Sequence, residues 1–315
     1  MSANASSPAA RFQKGSSAPN NSISWMRRAS AFLAESPLLR RGQRQWKENE
    51  KNRDLPLSKS DKLLTGAYLI LRDYGAGVFP PQFSDQNQTH LNEINTRFTT
   101  PGSTQEQVDR AHVAKPFWFG PPVHNYFRGF LKLVENLELA RVRPPARLLE
   151  LGGGAGWTAE FLAQFGFQVV STTLSPYDAS ITRKRAEALH TRGLDSVLES
   201  VVAPMESIDA HVKQHCPFNA VFVFEALHHA FDWRSTIASA YDCLSPGGWL
   251  LICNEPNFLH TAIAYRVAIL TNTHEVGFRK SQLLQHLKKT GFRTVISTGK
   301  QPHFFFRPLW LLAQK

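Results

Sequence analysis

RLLELGGGAGW, residues 147–157, carries an extended apolar stretch into an acid, Glu150, and then into a turn of Gly152, Gly153, Gly154, Ala155 and Gly156. The run that follows, WTAEFLAQFG, has helical spacing. Strand, glycine turn and helix in that order open a doubly wound α/β sheet, where a flat ligand lies against the turn. Only a backbone without Cβ turns this tightly and leaves its N–H groups approachable.

The glycine spacing separates two ligand classes. A dinucleotide fingerprint, Gly-x-Gly-x-x-Gly, needs its third glycine at position 157, and that residue is Trp157. Here the glycines fall at 152, 154 and 156, with a carboxylate two residues before the first. The elements that follow alternate. FQVVSTTL (167–174), LESVVA (198–203), FNAVFVFEAL (218–227) and GWLLICNEP (248–256) read as strands, and RTVISTG with FFFRPLWLLA as two more. Helical patterns separate them at 177–193, 232–244 and 281–292. Strands alternating with helices predict a parallel sheet covered on both faces.

LLELGGGAG, EALHH and LSPGGWLLI, in that order, resemble the class I S-adenosylmethionine (SAM)-dependent methyltransferases of small-molecule type, over about residues 118 to 315. The resemblance implies a Rossmann-like, doubly wound, seven-stranded sheet, mostly parallel with an antiparallel last strand, behind an N-terminal helical extension. It implies SAM as cofactor. SAM carries no phosphate, so the loop needs no anion-binding helix terminus, and a nearby acid suits its cationic methionine end. The cofactor contacts carried over are Glu150, Gly152, Gly153, Gly154, Gly156, Thr173, Met205, Glu206 and Phe224. Several positions depart from the pattern, Asn219 among them, standing where strand four often opens with Asp. Strand two ends on Thr173 where an acid usually accepts from both ribose hydroxyls, with Asp178 as a helix cap or a substitute acceptor. Met205 and Glu206 stand where an acid beside the adenine is expected, with Met205 either a soft apolar face or core filling.

Methyl transfer from a sulfonium is an in-line displacement in which the cofactor carries the hard chemistry and the protein orients the partners. A hydroxyl acceptor gains from a general base. The ends of strands four and five offer Glu225, His228, His229, Asn254 and Glu255. His229 is the expected base, since imidazole titrates near neutral pH; His228 and Glu225 are the alternatives. FEAL after strand four excludes the Asn/Asp-Pro-Pro-aromatic turn of amino-methylating nucleic-acid enzymes. Cys216, Cys243 and Cys253 read as structural thiols, and no His/Cys spacing suggests a metal site.

The net charge is +11, but Arg27, Arg28, Arg40, Arg41, Arg44 and Lys47 concentrate much of the excess near the N-terminus, so no nucleic-acid groove is expected. No run is apolar enough to span a membrane, and three scattered cysteines suit a cytoplasmic protein. Residues 1–57 are expected to form a disordered basic tail, in which SWMRRASAFLA makes a short amphipathic helix and organelle targeting is a lesser reading. Residues 58–146 are expected to form a helical cap, with Lys115, Phe117, Trp118, His124 and Tyr126 as lid residues, and residues 147–315 the SAM-binding domain. The apolar segment NFLHTAIAYRVAILTNTHEVGF is the expected acceptor wall. The activity read from these features is transfer of a methyl group to a small-molecule acceptor at oxygen. RNA or protein methylation and a non-catalytic binding module are the alternatives.

Overall fold

The computed structural model describes residues 21–52, 55–81, 83–96, 105–117, 121–194, 197–299 and 307–315. Its described helices are α1 (Asn21–Ala34), α2 (Arg40–Lys51), α3 (Lys59–Ala76), α4 (Gln86–Thr96), α5 (Gln105–Ala114), α6 (Pro121–Leu139), α7 (Trp157–Gln164), α8 (Pro176–Thr191), α9 (Ile208–His211), α10 (Trp233–Cys243), α11 (Thr261–Thr271) and α12 (Lys280–Thr290). The strands are β1 (Arg147–Leu151), β2 (Gln168–Thr173), β3 (Leu198–Val202), β4 (Phe218–Phe224), β5 (Leu244–Glu255), β6 (Thr294–Ser297) and β7 (Leu309–Gln314).

The chain divides into two units, one reaching to Asn92 and including Ala262–Thr273, the other comprising Glu93–Thr261 and His274–Lys315. This differs from the three-part division read from sequence.

The second unit holds a seven-stranded sheet in the order β3-β2-β1-β4-β5-β7-β6, with β7 antiparallel to both neighbours. Strand alternation sorts the core onto two faces. Leu149, Leu151, Val221 and Val223 pack on one side, and Leu148, Ala220 and Phe222 on the other. All are 0 or 1% exposed, and each large side chain so buried contributes about 1.5–3 kcal/mol. Strand order reverses between β1, which pairs with β2, and β4, which pairs with β5. In such sheets the crevice at that reversal, beyond the carboxyl ends of the strands, is where ligands bind.

In the first unit, α1 and α2 pack on α3, and Ala34, Trp46, Tyr68, Leu69, Tyr265 and Ala268 form its core. α1 contains the SWMRRASAFLA helix expected from sequence, whereas α2 is helical where a tail is expected from composition. The inward stripe of α2 is Gly42, Trp46 and Asn49, spaced for one helix face but with a single apolar residue in it. Ser58 caps α3 by accepting from the Asp61 amide at 3.1 Å. Tyr265 donates to Asp73 at 2.9 Å. The apolar run expected to wall the acceptor site thus spends Tyr265 and Ala268 on this core. Among the described residues no helix is long and apolar enough to cross a membrane.

Candidate active site

Loop 152–156 leaves β1 with Gly152, Gly154 and Gly156 all left-handed, at φ of 65°, 54° and 70°. Glu150 lies beneath it, 1% exposed. Its carboxylate accepts from Ser171 at 2.7 Å and, by a short contact, from Thr158. Burial raises the Glu150 carboxyl, against the lowering effect of those hydroxyls. A Cβ on Gly153 would sit 2.3 Å from both the Glu150 carboxylate and the Ser171 hydroxyl. Glu150, expected among the cofactor contacts, lies under the loop with the Gly153 backbone settled directly onto it. Gly154 is different: a Cβ there would meet nothing within 4 Å. The loop's open side is at Gly154.

Met205 flanks the loop, with its sulfur 3.3 Å from where a Gly152 Cβ would lie. Glu206, next in sequence, accepts the Asp232 amide at 3.3 Å. Thr173 is buried, and its hydroxyl accepts the Ser175 amide at 3.2 Å. Ser175 is the α8 cap, accepting from the Asp178 amide at 3.2 Å, so Asp178 is not the cap. Asp178 instead stands 3.7 Å from His112. Phe224 meets Trp157 and Trp310 edge-on, each at 6.0 Å.

Arg185 on α8 gives no signal in the sequence, yet it joins the loop to the segment before α6. It donates to the carbonyls of Ala155 at 2.8 Å and of Val113 and Lys115 at 2.9 Å each, and pairs with Glu160. Of the expected lid residues, the Lys115 ammonium lies 5.7 Å from the Tyr126 ring centre, and Tyr126 meets Trp157 at 5.8 Å. Phe117 packs on Phe127 and Phe161 while remaining 59% exposed. His124 is exposed. Trp118 lies outside the described residues.

At the ends of β4 and β5, Glu225 and Asn254 both take left-handed backbone, at φ of 52° and 59°, and Asn254 donates to Glu225. Left-handed backbone is unusual for a glutamate and marks a conformation imposed by its surroundings. Desolvation, then the negative charge of Glu255, raises the Glu225 carboxyl. Glu255 is fully buried and accepts the amides of Ala226, Leu227 and His228 at 2.8, 2.9 and 3.2 Å. It also meets His228 Nδ1 at 2.9 Å.

His229 Nδ1 stands 3.1 Å from Glu93 and 3.7 Å from Glu275, and the two histidine rings lie 4.0 Å apart, tilted by 40°. Burial alone would lower the His229 pKa; contact with Glu93 and the charges of Glu275 and Glu255 outweigh it and raise it to about 9. His229, expected to act as the base, thus turns Nδ1 toward carboxylates. Glu93 and Glu275 escape sequence reasoning because only folding brings them to the His228-His229 pair.

Comparison with known proteins bears on this arrangement. A family model described as a methyltransferase domain matches residues 123–297. The chain is 30% identical over 164 residues to the ubiquinone biosynthesis O-methyltransferase of Xanthomonas axonopodis pv. citri (strain 306), covering 50% of this chain and 64% of that one. It is 27% identical over 203 residues to the protein of the same name from Bordetella avium (strain 197N), covering 59% and 80%. The match thus spans less than two thirds of the Xanthomonas relative. Among solved structures, magnesium protoporphyrin IX methyltransferase from Synechocystis PCC 6803, with bound SAH, superposes with a TM-score of 0.53 at 14% identity, covering 72% of this chain and 99% of that one. At that identity the likeness is one of fold.

Proposed function

We propose, from the premise that this chain belongs to the methyltransferase-domain family, that it transfers a methyl group from S-adenosylmethionine to an oxygen of a small organic acceptor. The observation that carries this is Gly154, a left-handed residue open to solvent at the turn after β1, where the sheet order reverses. Gly152, Gly153, Gly154 and Gly156 would form the floor for the methionine portion and Met205 an apolar face for the adenine. Thr173 and the Ser175 turn would approach the ribose. When bound, the cofactor supplies a methyl on a sulfonium whose leaving group is neutral.

The name shared by the curated relatives supports an oxygen acceptor of aromatic, quinone-like kind. Glu225 would take the acceptor's hydroxyl proton. It stands at the end of β4, held by Asn254, and its raised pKa brings it closer to the working pH of a base. Phe224 and Tyr126, backed by the buried Trp157, would offer aromatic surface beside it. Incubating the full chain with SAM and a panel of hydroxylated aromatic compounds, and measuring S-adenosylhomocysteine (SAH) released, tests this. Acceptor-dependent release is expected, and loss of it in Glu225→Gln. Release from amines alone would overturn the oxygen assignment.

A further inference from the structure

His228, His229 and Glu275 offer ligand atoms that all lie within 4.8 Å of one another. Nε2 of His228 is 3.9 Å, and Nδ1 of His229 3.7 Å, from carboxylate oxygens of Glu275. These separations are too long for hydrogen bonds. They suit donors sharing one cation, since bonds of about 2.0–2.2 Å set neighbouring ligands roughly 3–4 Å apart. We propose that His228 Nε2, His229 Nδ1 and the Glu275 carboxylate bind a first-row divalent cation of the zinc type, with Glu93 as a further oxygen donor.

Three observations converge on this. The first is orientation. A metal-binding histidine characteristically gives its other ring N–H to a carboxylate, which fixes tautomer and ring plane. His228 Nδ1 has that partner in Glu255, 2.9 Å away and itself held by three backbone amides. In the tautomer that donates from Nδ1, Nε2 of His228 would present its lone pair on the side of Glu275, 3.9 Å away.

The second observation is His229 Nδ1. It is buried and makes no hydrogen bond of good geometry, although carboxylate oxygens stand 3.1 and 3.7 Å away. The third is charge. Glu93, Glu255 and Glu275 surround two imidazoles, and a divalent cation balances such a set. Two imidazoles with carboxylate oxygen favour zinc, iron or nickel over magnesium, which prefers oxygen alone. The His229 side chain keeps 33% of its surface exposed, so a coordination position is reachable from outside.

The site stands whether or not the methyl-transfer reading does, and its test needs no turnover. Metal-stripped full-length protein is titrated with Zn2+, and separately with Mg2+, by calorimetry. One equivalent of Zn2+ should bind with micromolar or tighter affinity, with Mg2+ binding at least ~100-fold more weakly. Glu275→Gln and His229→Gln, checked for native circular dichroism, should each weaken Zn2+ by at least ~10-fold. Cys216→Ser should leave it unchanged. Co2+ added to the native chain should give visible d–d bands that Zn2+ displaces, a readout independent of any variant. No stoichiometric binding, or binding unaffected by both cluster substitutions, or equal affinity for Mg2+, would overturn the assignment.

Discussion

Gly153 and Gly154 are adjacent and chemically identical, yet the fold uses them in opposite ways. Gly153 has the Glu150 carboxylate and Ser171 hydroxyl pressed against it, so Gly153→Ala should destabilise the domain itself, visible as a lower melting temperature. Gly154 faces open space. Gly154→Val should cost only the ~1–2 kcal/mol of left-handed backbone while weakening SAM binding by about 100-fold, or ~3 kcal/mol. Calorimetry beside thermal melting separates the two effects. Glu150 yields a matched pair: Glu150→Gln removes a buried charge, keeps one acceptor oxygen and turns its NH2 to the other hydroxyl, which can accept, so it should melt close to the native protein. Glu150→Ala, which strands Thr158 and Ser171, should lose about 1–3 kcal/mol. For Glu225 the sign follows from its role. A base works deprotonated, and its pKa is raised. The acid limb of the rate profile should therefore lie above the ordinary glutamate range, with rate falling as pH drops through it. Glu225→Gln should cut kcat by roughly 10²–10⁴-fold with SAM affinity nearly unchanged.

Among the elements, what was legible in sequence was whatever repeats a period or needs a glycine. β1 to β5, α7, α8, α10 and α12 all fall where alternation and helical spacing predict them. α2 and α11 were harder, for physical reasons. The buried side of α2 is Gly42, Trp46 and Asn49, a stripe that no apolar count detects. The apolar run of α11 reads equally as a ligand wall or as core, and Tyr265 and Ala268 are core. The site was legible where it is backbone and illegible where it is side-chain convergence. The glycine turn announces itself, whereas Arg185 acquires meaning only when Ala155, Val113 and Lys115 turn their carbonyls toward it. Arg185 is largely buried and tied to Glu160. Arg185→Ala should therefore destabilise by about 3 kcal/mol, and it should weaken SAM binding by loosening residues 113–115 from the loop. A variant with unaltered melting and affinity would show the clamp to be dispensable.

For the molecule as a whole, the sequence assigned the first 57 residues to a tail, but Ala34 and Trp46 contribute to the core of the first unit. Removing them would strip that core, so binding is best measured on the full chain. The charge of +11 fits weak, sequence-independent attraction to polyanions, decreasing linearly on a log–log plot against salt. The second unit has the sheet order, the reversal between β1 and β4 and the open glycine turn of a nucleoside-binding α/β domain. What distinguishes SAM from a dinucleotide is Trp157, which is buried at the start of α7 where the dinucleotide fingerprint has a glycine for close helix–strand packing. Titration calorimetry of the full chain with SAM, SAH and NADH tests that claim most directly. The account predicts micromolar binding of SAM and SAH at one site and none of NADH. Binding of NADH, or of none of the three, would contradict it.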